Sequence, residues 1–537
     1  MNKLLSLMLM LLTSTIASAA DIVVEPDGSL HEALRQAREW RRTGDPRCVG
    51  GINIIVKPGR YYMSEPLFLR PEDSGTASSP LTIQGEEGTE TIICGDPRQK
   101  HTQLWPLEGM ERIIGFDTEK RTITIPTPPK KILTSLTSHL SSLEMVVHQR
   151  WAIAILRVKT ITVHDGFAVV SFQEPESRIE FEHPWPQPIV GQASERTSHV
   201  TLGSVTHYGC DSSSFLLRTT EQRDGIEQLL VIDGACHVNI RNITFEHTSW
   251  NRPLHRGHVT LQGGFPLVDA YKLKEHEGLP WDEGLENQAW IERPVSAVSV
   301  SHAKDVEFCD CTFRLLGSTA LDFINDTEDC AVSNCMFEDI GGTAIMAGSF
   351  AESPREVHRP YTDLAKRCKG LRIHDNSISR VGQEDWGAVA ISCGYVCNAE
   401  IMKNTVTNCP YSGICVGWGW TPHDTGMEQN IIEGNKVSRY ATCLYDVGGI
   451  YTLSNQPGSV IRNNIISQPS PAPYATNDRA FCIYLDARTD GYSIFDNKTI
   501  DSDTLPNGLM SIYDQQLRPI RRDEIGDNHP GPSLIFK

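Results

Sequence analysis

The second half of the chain repeats a pattern of hydrophobic and polar positions that is typical of short β-strands. Runs of alternating β-branched and polar residues recur after a marker residue, Asn or Cys. Successive markers are separated by 24 residues (311 to 335), 28 (376 to 404), 31 (404 to 435), 29 (435 to 464) and 33 (464 to 497). A repeat of this length predicts a solenoid, and the strand-like interior predicts stacked parallel strands. The predicted fold class is therefore all-β, a right-handed parallel β-helix.

The marker residues predict a ladder inside this solenoid. Asn tolerates left-handed backbone geometry at a tight corner, and its amide can bond the same amide one coil away. The near-constant spacing predicts that four side chains stack at one corner: Asn376, Asn404, Asn435 and Asn464.

A helix is predicted at the open end of the first coil. Residues 30–42 have helical spacing, with Leu34, Ala37 and Trp40 on one side. Ser29 followed by Glu32 forms a complete capping box, which favours a helix start at this point. The ends of a solenoid must be covered, so we expect this helix to close the first coil.

Three long excursions interrupt the repeat. Residues 98–205 have the alternation and turn residues of a small inserted β-domain, and further excursions span about 251–293 and 350–368. Long loops on a rigid solenoid commonly build the binding face. The predicted organisation is a signal peptide (1–19), an N-terminal cap with the first coils (20–97), an inserted β-domain (98–205), a β-helix with loop excursions (206–510) and a C-terminal tail (511–537).

The first residues and the overall charge restrict the setting and the ligands. Lys3, an apolar run and small residues at Ala17-Ser-Ala19 predict a secretory signal peptide, and no lipid-anchor Cys follows. We expect a periplasmic or secreted monomer without a membrane segment. The formal net charge of −18 disfavours nucleic acid as a partner. The 15 cysteines show no zinc-binding spacing, so no metal or cofactor is predicted.

The cysteines are interpreted as core residues. Four of them fall in one apolar stretch, and a small buried thiol suits most of these positions better than a disulfide framework. These are Cys309, Cys311, Cys330 and Cys335.

Two aspartates lie in consecutive predicted coils. Aligning the apolar strands places Ile414, Ile450 and Ile483 in successive coils, with Asp446 before its strand and Asp486 at the end of the next. A carboxylate pair in a groove is what glycoside hydrolysis needs, because one group protonates the leaving oxygen and the other attacks carbon or activates water. The alternative interpretation of each is a corner aspartate, in which case Glu384 or Asp385 becomes the next candidate.

Aromatic and polar side chains near the acids predict a sugar-binding surface. Two tryptophans in a glycine-rich run offer flat apolar faces for a sugar ring, although packing inside the solenoid is the alternative. The predicted substrate-binding residues are Trp418, Trp420, His423, Tyr451, Trp386 and Arg488.

Several runs resemble motifs of glycoside hydrolase family 141. They are PYSGICVGWGW (410–420), DVGGIYTLSNQPGS (446–459) and IYLDARTDG (483–491), and the resemblance spans most of the chain. It implies a parallel β-helix, acids at Asp446 and Asp486, and α-L-fucosidase activity on the pectin rhamnogalacturonan II or xylanase activity. The chain departs from the family pattern at Val447, at Ala487-Arg488 and over residues 196–216.

The patterns predict an extracytoplasmic glycoside hydrolase. The resemblance implies that it acts on plant cell-wall polysaccharide, foremost as an α-L-fucosidase on pectin side chains. An endo-xylanase, a polysaccharide lyase and a non-catalytic carbohydrate-binding β-helix remain alternatives. A lyase groove needs clustered acids beside a basic residue, of which Asp486, Arg488 and Asp490 are a faint version. A binding protein would not need long excursions around acids and tryptophans.

Overall fold

The described part of the chain covers most of the predicted solenoid. The computed structural model describes residues 19–95, 103–104, 113–127, 130, 134, 140–183, 198–202, 205–209, 215–219, 225–270, 290–352, 355–356, 366–419, 424–469, 480–486 and 488–500, with three short strands beyond residue 500. The predicted signal peptide falls almost entirely outside these residues. Within them, no helix is long and apolar enough to cross a bilayer.

Three long parallel sheets form the body of the molecule, which confirms the predicted parallel β-helix. In the described residues the first sheet contains Ala20–Val24, Ile52–Val56, Leu81–Gly85, Val238–Arg241, Val306–Cys309, Ala331–Ser333, Arg372–His374, Glu400–Met402, Ile431–Glu433, Asn455–Arg462, Asp490–Phe495 and Glu524–Ile525. The second contains Gly59–Tyr62, Thr91–Cys94, Thr244–Glu246, Thr312–Leu316, Met336–Ile340, Ser377–Ser379, Thr405–Thr407, Lys436–Ser438, Ile465–Ser467, Lys498–Ile500 and His529–Pro530. The third contains Leu67–Leu69, Leu230–Asp233, Ser296–Ser301, Thr319–Phe323, Ile345–Ala347, Ile391–Cys393, Ile414–Val416, Val447–Thr452, Ala480–Leu485 and Met510–Ile512.

The register of the third sheet matches the alignment of apolar strands made from the sequence. Ile414 pairs with Ile450, and Ile450 pairs with Ile483. Alternate residues of each strand point into the solenoid, where one continuous hydrophobic core runs along the axis. A fourth, short parallel sheet fills a corner with strands Ala303–Lys304, Thr327–Glu328, Cys368–Lys369 and Val396–Cys397.

The predicted asparagine ladder is confirmed. The Nδ2 of Asn376 donates to Oδ1 of Asn404 at 2.9 Å, and the same bond repeats from Asn404 to Asn435, from Asn435 to Asn464 and from Asn464 to Asn497 at 2.9–3.0 Å. The sequence reasoning assigned the left-handed backbone conformation to the ladder asparagines themselves, and this was wrong. The conformation belongs to the residue before each, such as Asp375 and Lys403, because the tight bend precedes the inward-pointing amide.

Cysteine takes the ladder position in the earlier coils. The backbone N–H of Cys335 donates to Oδ1 of Asn376 at 2.9 Å, and that of Cys311 donates to Sγ of Cys335 at 3.4 Å. Cys311, Cys330 and Cys335 are buried and Cys309 is half-buried, and the described cysteines form no disulfides. Most of the four are therefore core residues, as predicted.

The predicted cap helix spans Leu30–Thr43, and it buries Leu30, Ala33, Leu34 and Ala37 against the first coil. Ser29 accepts a hydrogen bond from the backbone N–H of Glu32 at 3.3 Å. The capping box is only half formed, because the Glu32 carboxylate pairs with Arg35 instead of turning back to Ser29. Two 3₁₀ turns follow, Pro46–Gly50 and Pro71–Asp73.

An antiparallel sheet is inserted between the early coils. Its strands are Gln103–Leu104, Gly115–Asp117, Thr122–Pro126, Leu143–His148, Ile153–Val163, Phe167–Phe172 and Phe215–Thr219, joined by His258–Val259 from the next excursion. The 3₁₀ turn Leu140–Ser142 and the helices Glu176–Glu182 and Arg252–Arg256 accompany it. Smaller antiparallel groups are the hairpin Ser198–Leu202 with Val205–Gly209, and the strands Leu267–Asp269, Trp290–Ile291, Ala351–Glu352 and Arg355–Glu356.

Candidate active site

The two aspartates lie at opposite ends of neighbouring strands of the third sheet. Asp446 immediately precedes strand Val447–Thr452, in the left-handed conformation (φ 65°) that Asp tolerates better than most residues. Asp486 follows strand Ala480–Leu485, where its backbone N–H donates to the carbonyl of Thr452 at 3.1 Å. Both are therefore attached to the rigid ladder of the sheet rather than to a free loop.

A glycine beside Asp446 lets Tyr484 of the next coil pack closely against the strand. A Cβ on Gly448 would lie 2.6 Å from the carbonyl oxygen of Ile450, so only glycine fits this turn of the backbone. The N–H of Gly448 donates to Oγ of Ser412 at 3.2 Å, which ties this segment to the preceding coil. The strand after Asp446 therefore stays in register with strand Ala480–Leu485 and close to the Tyr484 side chain.

A cluster of buried tyrosines connects the acids. The Tyr484 hydroxyl donates to Oδ1 of Asp446 at 2.9 Å, and the Tyr451 hydroxyl donates to Oδ2 of Asp486. The Tyr451 and Tyr484 rings meet edge to face, with centroids 5.1 Å apart. The Tyr411 hydroxyl donates to the carbonyl of Asp446 at 3.0 Å. Each carboxylate is thus held by a phenol from the adjacent coil.

One amide from the excursion after residue 251 closes this network. The Nε2 of Gln262 lies 3.3 Å from the Tyr451 hydroxyl and 3.4 Å from the Tyr411 hydroxyl. Because its two contacts come from different coils, Gln262 fixes the spacing between the phenols that hold the two acids.

Both aspartates raise the pKa of the same two buried phenols. Burial, and then the negative charge of Asp486, raises the pKa of Tyr451 well above its ordinary value. Burial, and then the charge of Asp446, does the same to the pKa of Tyr411. The charge of the other aspartate makes a smaller contribution that also raises the pKa of each phenol. Both hydroxyls therefore stay protonated and act as fixed hydrogen-bond donors at neutral pH.

The inserted sheet supports the segment that carries Asp446. The ring Nε2 of His148 lies 2.7 Å from the carbonyl of Cys443, and the N–H of Tyr445 donates to the carbonyl of Arg150 at 3.2 Å. Burial lowers the pKa of His148 to about 4, so this contact is made by a neutral imidazole. The insertion consequently fixes the backbone next to one of the two acids.

The structure corrects the prediction that Trp418 is an open platform for a sugar. Its side chain is only 4% exposed and packs against Phe265 and Phe350, with ring centroids 5.2 and 5.1 Å away. Trp386 is likewise buried, tilted against His148 with centroids 6.2 Å apart. Both tryptophans are packing residues, Trp386 in the core of the solenoid and Trp418 in the hydrophobic cluster of the inserted sheet.

The remaining predicted site residues have different outcomes. Tyr451 is part of the tyrosine cluster, though as a buried donor rather than a surface contact. Arg488 is half-buried two residues beyond Asp486, in a left-handed turn. Trp420 and His423 lie outside the described residues. Asp385 is also buried, and its Oδ2 accepts a hydrogen bond from Nε2 of His258 at 2.8 Å.

Sequence reasoning missed the roles of Tyr411, Tyr484 and Gln262. Both tyrosines stand inside the motifs that were singled out. Tyr484 also occupies the same strand position as Tyr451 one coil earlier, which was a usable signal. Gln262 had no such signal, since nothing in a loop sequence states which coil the loop contacts.

A possible ligand set for a metal lies elsewhere, on the second sheet. Ligand atoms of Cys94, Glu246 and His247 all lie within 4.8 Å of one another. Arg314 donates to Oε2 of Glu246 at 2.8 Å, and Arg60 pairs with the same carboxylate. Two guanidinium groups already neutralise the Glu246 carboxylate, so this cluster is a network of ion pairs rather than a cation site.

The three long parallel sheets and the inserted antiparallel sheet define the class of protein, a parallel β-helix with an insertion between its early coils. A solved structure described as a glycoside hydrolase is 30% identical, with a TM-score of 0.79 over 95% of this chain and 96% of that one. Residues 98–212 match the GH141 insertion domain. The chain belongs to glycoside hydrolase family 141.

More distant structures share only a general likeness. XylC in complex with xylose is 10% identical over 90% of this chain and 69% of that one, with a TM-score of 0.42. A GH136 lacto-N-biosidase from Eubacterium ramulus is 9% identical over 95% and 67%, with a TM-score of 0.39. Neither bears on the activity of this chain. Among proteins with curated functions, none matches the sequence.

Proposed function

We propose that this glycoside hydrolase is an α-L-fucosidase that acts outside the cytoplasm on rhamnogalacturonan II side chains, with Asp446 and Asp486 as its catalytic pair. The substrate class rests on the activities that the family resemblance implies. The pair rests on one observation, that each carboxylate accepts a hydrogen bond from a buried tyrosine of the adjacent coil and that the rings of those two tyrosines, Tyr451 and Tyr484, meet edge to face.

The two acids differ in exposure, which assigns their roles in this proposal. Asp486 is 9% exposed and enclosed by the tyrosine cluster, whereas Asp446 is half-buried. The drier carboxyl is the better proton donor, because desolvation disfavours its charged form. Asp486 then protonates the leaving oxygen, and Asp446 attacks the anomeric carbon or activates water.

The tyrosine cluster has two tasks in this mechanism. It holds each carboxylate in one rotamer by a hydrogen bond from the adjacent coil, so that no reorientation is needed in the transition state. The hydrogen bond from Tyr484 also stabilises the ionised form of Asp446, which is the form that faces the positive charge that develops on the sugar ring.

The test compares Asp446→Asn and Asp486→Asn with Asp375→Asn on 4-nitrophenyl α-L-fucoside and on rhamnogalacturonan II oligosaccharides. Asp375 is a matched control, since it is an exposed corner aspartate with a similar left-handed φ of 59°. Each catalytic variant should lose about 10²–10⁴-fold in kcat with an unchanged circular dichroism spectrum. Asp375→Asn should keep wild-type turnover.

Each alternative has its own outcome in the same assays. Near-normal turnover in either catalytic variant would make that residue a corner aspartate. Release of reducing ends from xylan, with fucosides inert, would indicate an endo-xylanase. An ultraviolet-absorbing unsaturated product would indicate a lyase, and binding without turnover would indicate a non-catalytic protein.

A further inference from the structure

A polar pocket of about 330 Å³ lies beside the candidate active site and takes no part in the chemistry described above. Its floor is formed by the turns before strands Thr319–Phe323 and Ile345–Ala347 of the third sheet. Its walls come from the excursion that begins at residue 251 and from Trp250. The volume is at the small end of the range for ligand sites, about 300–1,000 Å³.

The formal charges that line this pocket cancel. They come from three arginines and three acids: Arg252, Arg256, Arg293, Glu227, Glu292 and Asp385. Glu292 accepts from Arg252 and from Arg256, the latter at 2.8 Å. His258 and Asp385 lie 2.8 Å apart on another side. These groups present many donors and acceptors without a net positive charge to attract a carboxylate. Together with the apolar face of Trp250, they suit a neutral, hydroxyl-rich ring better than an acidic one.

Two estimates place the pocket close to the tyrosine cluster and to the strand that follows Asp446. Gly264 lines the pocket, while Gln262 contacts Tyr451, and two Cα steps span at most about 7 Å. Asp385 precedes strand Ile391–Cys393, which lies two strands from Val447–Thr452, or about 10 Å at the usual spacing. A substrate of two or three linked sugars reaches from one to the other.

We propose that this pocket is a second sugar subsite, which holds a neutral pyranose residue of the substrate one or two units from the bond that is cleaved. The inference rests on the proposed function for the position of that bond. It specifies the substrate as an oligosaccharide side chain that spans both sites, rather than an isolated glycoside.

Calorimetric titration of the Asp446→Asn enzyme tests the subsite without turnover. Fucosylated rhamnogalacturonan II oligosaccharides should bind at least tenfold more tightly than methyl α-L-fucoside. Adding Val295→Trp, which fills the pocket from a half-buried position, should remove that difference. Arg256→Ala, at a side chain 48% exposed, should reduce it several-fold. Val163→Trp, on the inserted sheet and 43% exposed, is the matched control and should preserve it.

Three results would overturn the proposal. The first is an oligosaccharide preference that survives Val295→Trp. The second is an equal preference for oligogalacturonides, which would make the subsite acidic in specificity. The third is loss of all turnover of 4-nitrophenyl α-L-fucoside in Val295→Trp, which would make the pocket the reaction centre. If fucosides neither bind nor react, the proposed function fails. The subsite is then tested by titration with xylo-oligosaccharides, which should bind more tightly than xylose if the pocket holds a second sugar.

Discussion

The asparagine ladder offers the sharpest test of what holds the solenoid together, and Asn435 is its central member. Its Oδ1 accepts from the backbone N–H and the Nδ2 of Asn404, at 2.9 and 3.0 Å. Its Nδ2 donates to the carbonyl of Ile401 at 2.8 Å and to Oδ1 of Asn464 at 3.0 Å. The side chain is fully buried, so water cannot replace any of these four bonds.

Asn435→Ala should therefore destabilise the fold by about 4 kcal/mol, at about 1 kcal/mol for each lost bond. This is a large share of the roughly 5–15 kcal/mol that stabilises a typical domain. The loss is concentrated in one place, since the N–H of Asn404 becomes a buried donor without an acceptor. Lys436→Ala is the control, because it changes the next residue, whose side chain is exposed on the second sheet.

The assay is urea unfolding followed by circular dichroism, together with hydrogen exchange at the Asn404 amide. We expect a lower free energy of unfolding and faster exchange in Asn435→Ala only. If Asn435→Ala and Lys436→Ala unfold within about 0.5 kcal/mol of each other, the ladder is a consequence of the fold and not a cause of its stability.

Two further predictions concern the walls of the active site. Burial lowers the pKa of His148 from 6.5 to about 4, so acid must protonate the unfolded chain before the folded one. The neutral side chain therefore contributes about 3 kcal/mol to the free energy of unfolding above pH 6.5, and this contribution is lost as the pH falls towards 4. His148→Gln keeps a donor for the carbonyl of Cys443, so its urea unfolding free energy should fall less between pH 7 and pH 4; an equal fall would refute the assignment. Trp418→Ala should cost about 3–5 kcal/mol in unfolding free energy, because it leaves a cavity. The control, Trp290→Ala at a side chain 45% exposed, should cost less than about 0.5 kcal/mol.

The repeating part of the fold was predictable because the same physical demand recurs in each coil. An inward-facing position must be apolar, and the corner must carry an amide or a thiol that bonds the next coil. This is why the pairing of Ile414, Ile450 and Ile483 could be read from the chain before the structure was known.

The cap helix shows where such local reasoning ends. The helix and its buried face followed from spacing, but the second half of the capping box did not form. Glu32 has Arg35 one turn away, and the ion pair with that residue competes with the backbone of Ser29. A sequence motif shows which hydrogen bonds a side chain can form, but not which of two competing partners it will bind.

The site was predictable only as far as it lies on the repeat. Asp446 and Asp486 were found from their places beside two strands, and their catalytic role remains a prediction. The inward rotation of Trp418 was not predictable, because it depends on Phe265 and Phe350, which arrive from other excursions. Side chains on one coil are positioned by loops whose path the sequence does not give.

The strand that the excursion after residue 251 adds to the inserted sheet has a consequence for how such enzymes can diverge. Ile155 pairs with His258, and the Thr260 hydroxyl donates to the carbonyl of Ile153, so the excursion completes the edge of the insertion. An insertion transplanted alone would present an open strand edge, which invites aggregation. The insertion and the excursion are therefore expected to be exchanged or altered together during evolution, as one heritable unit made of two distant segments.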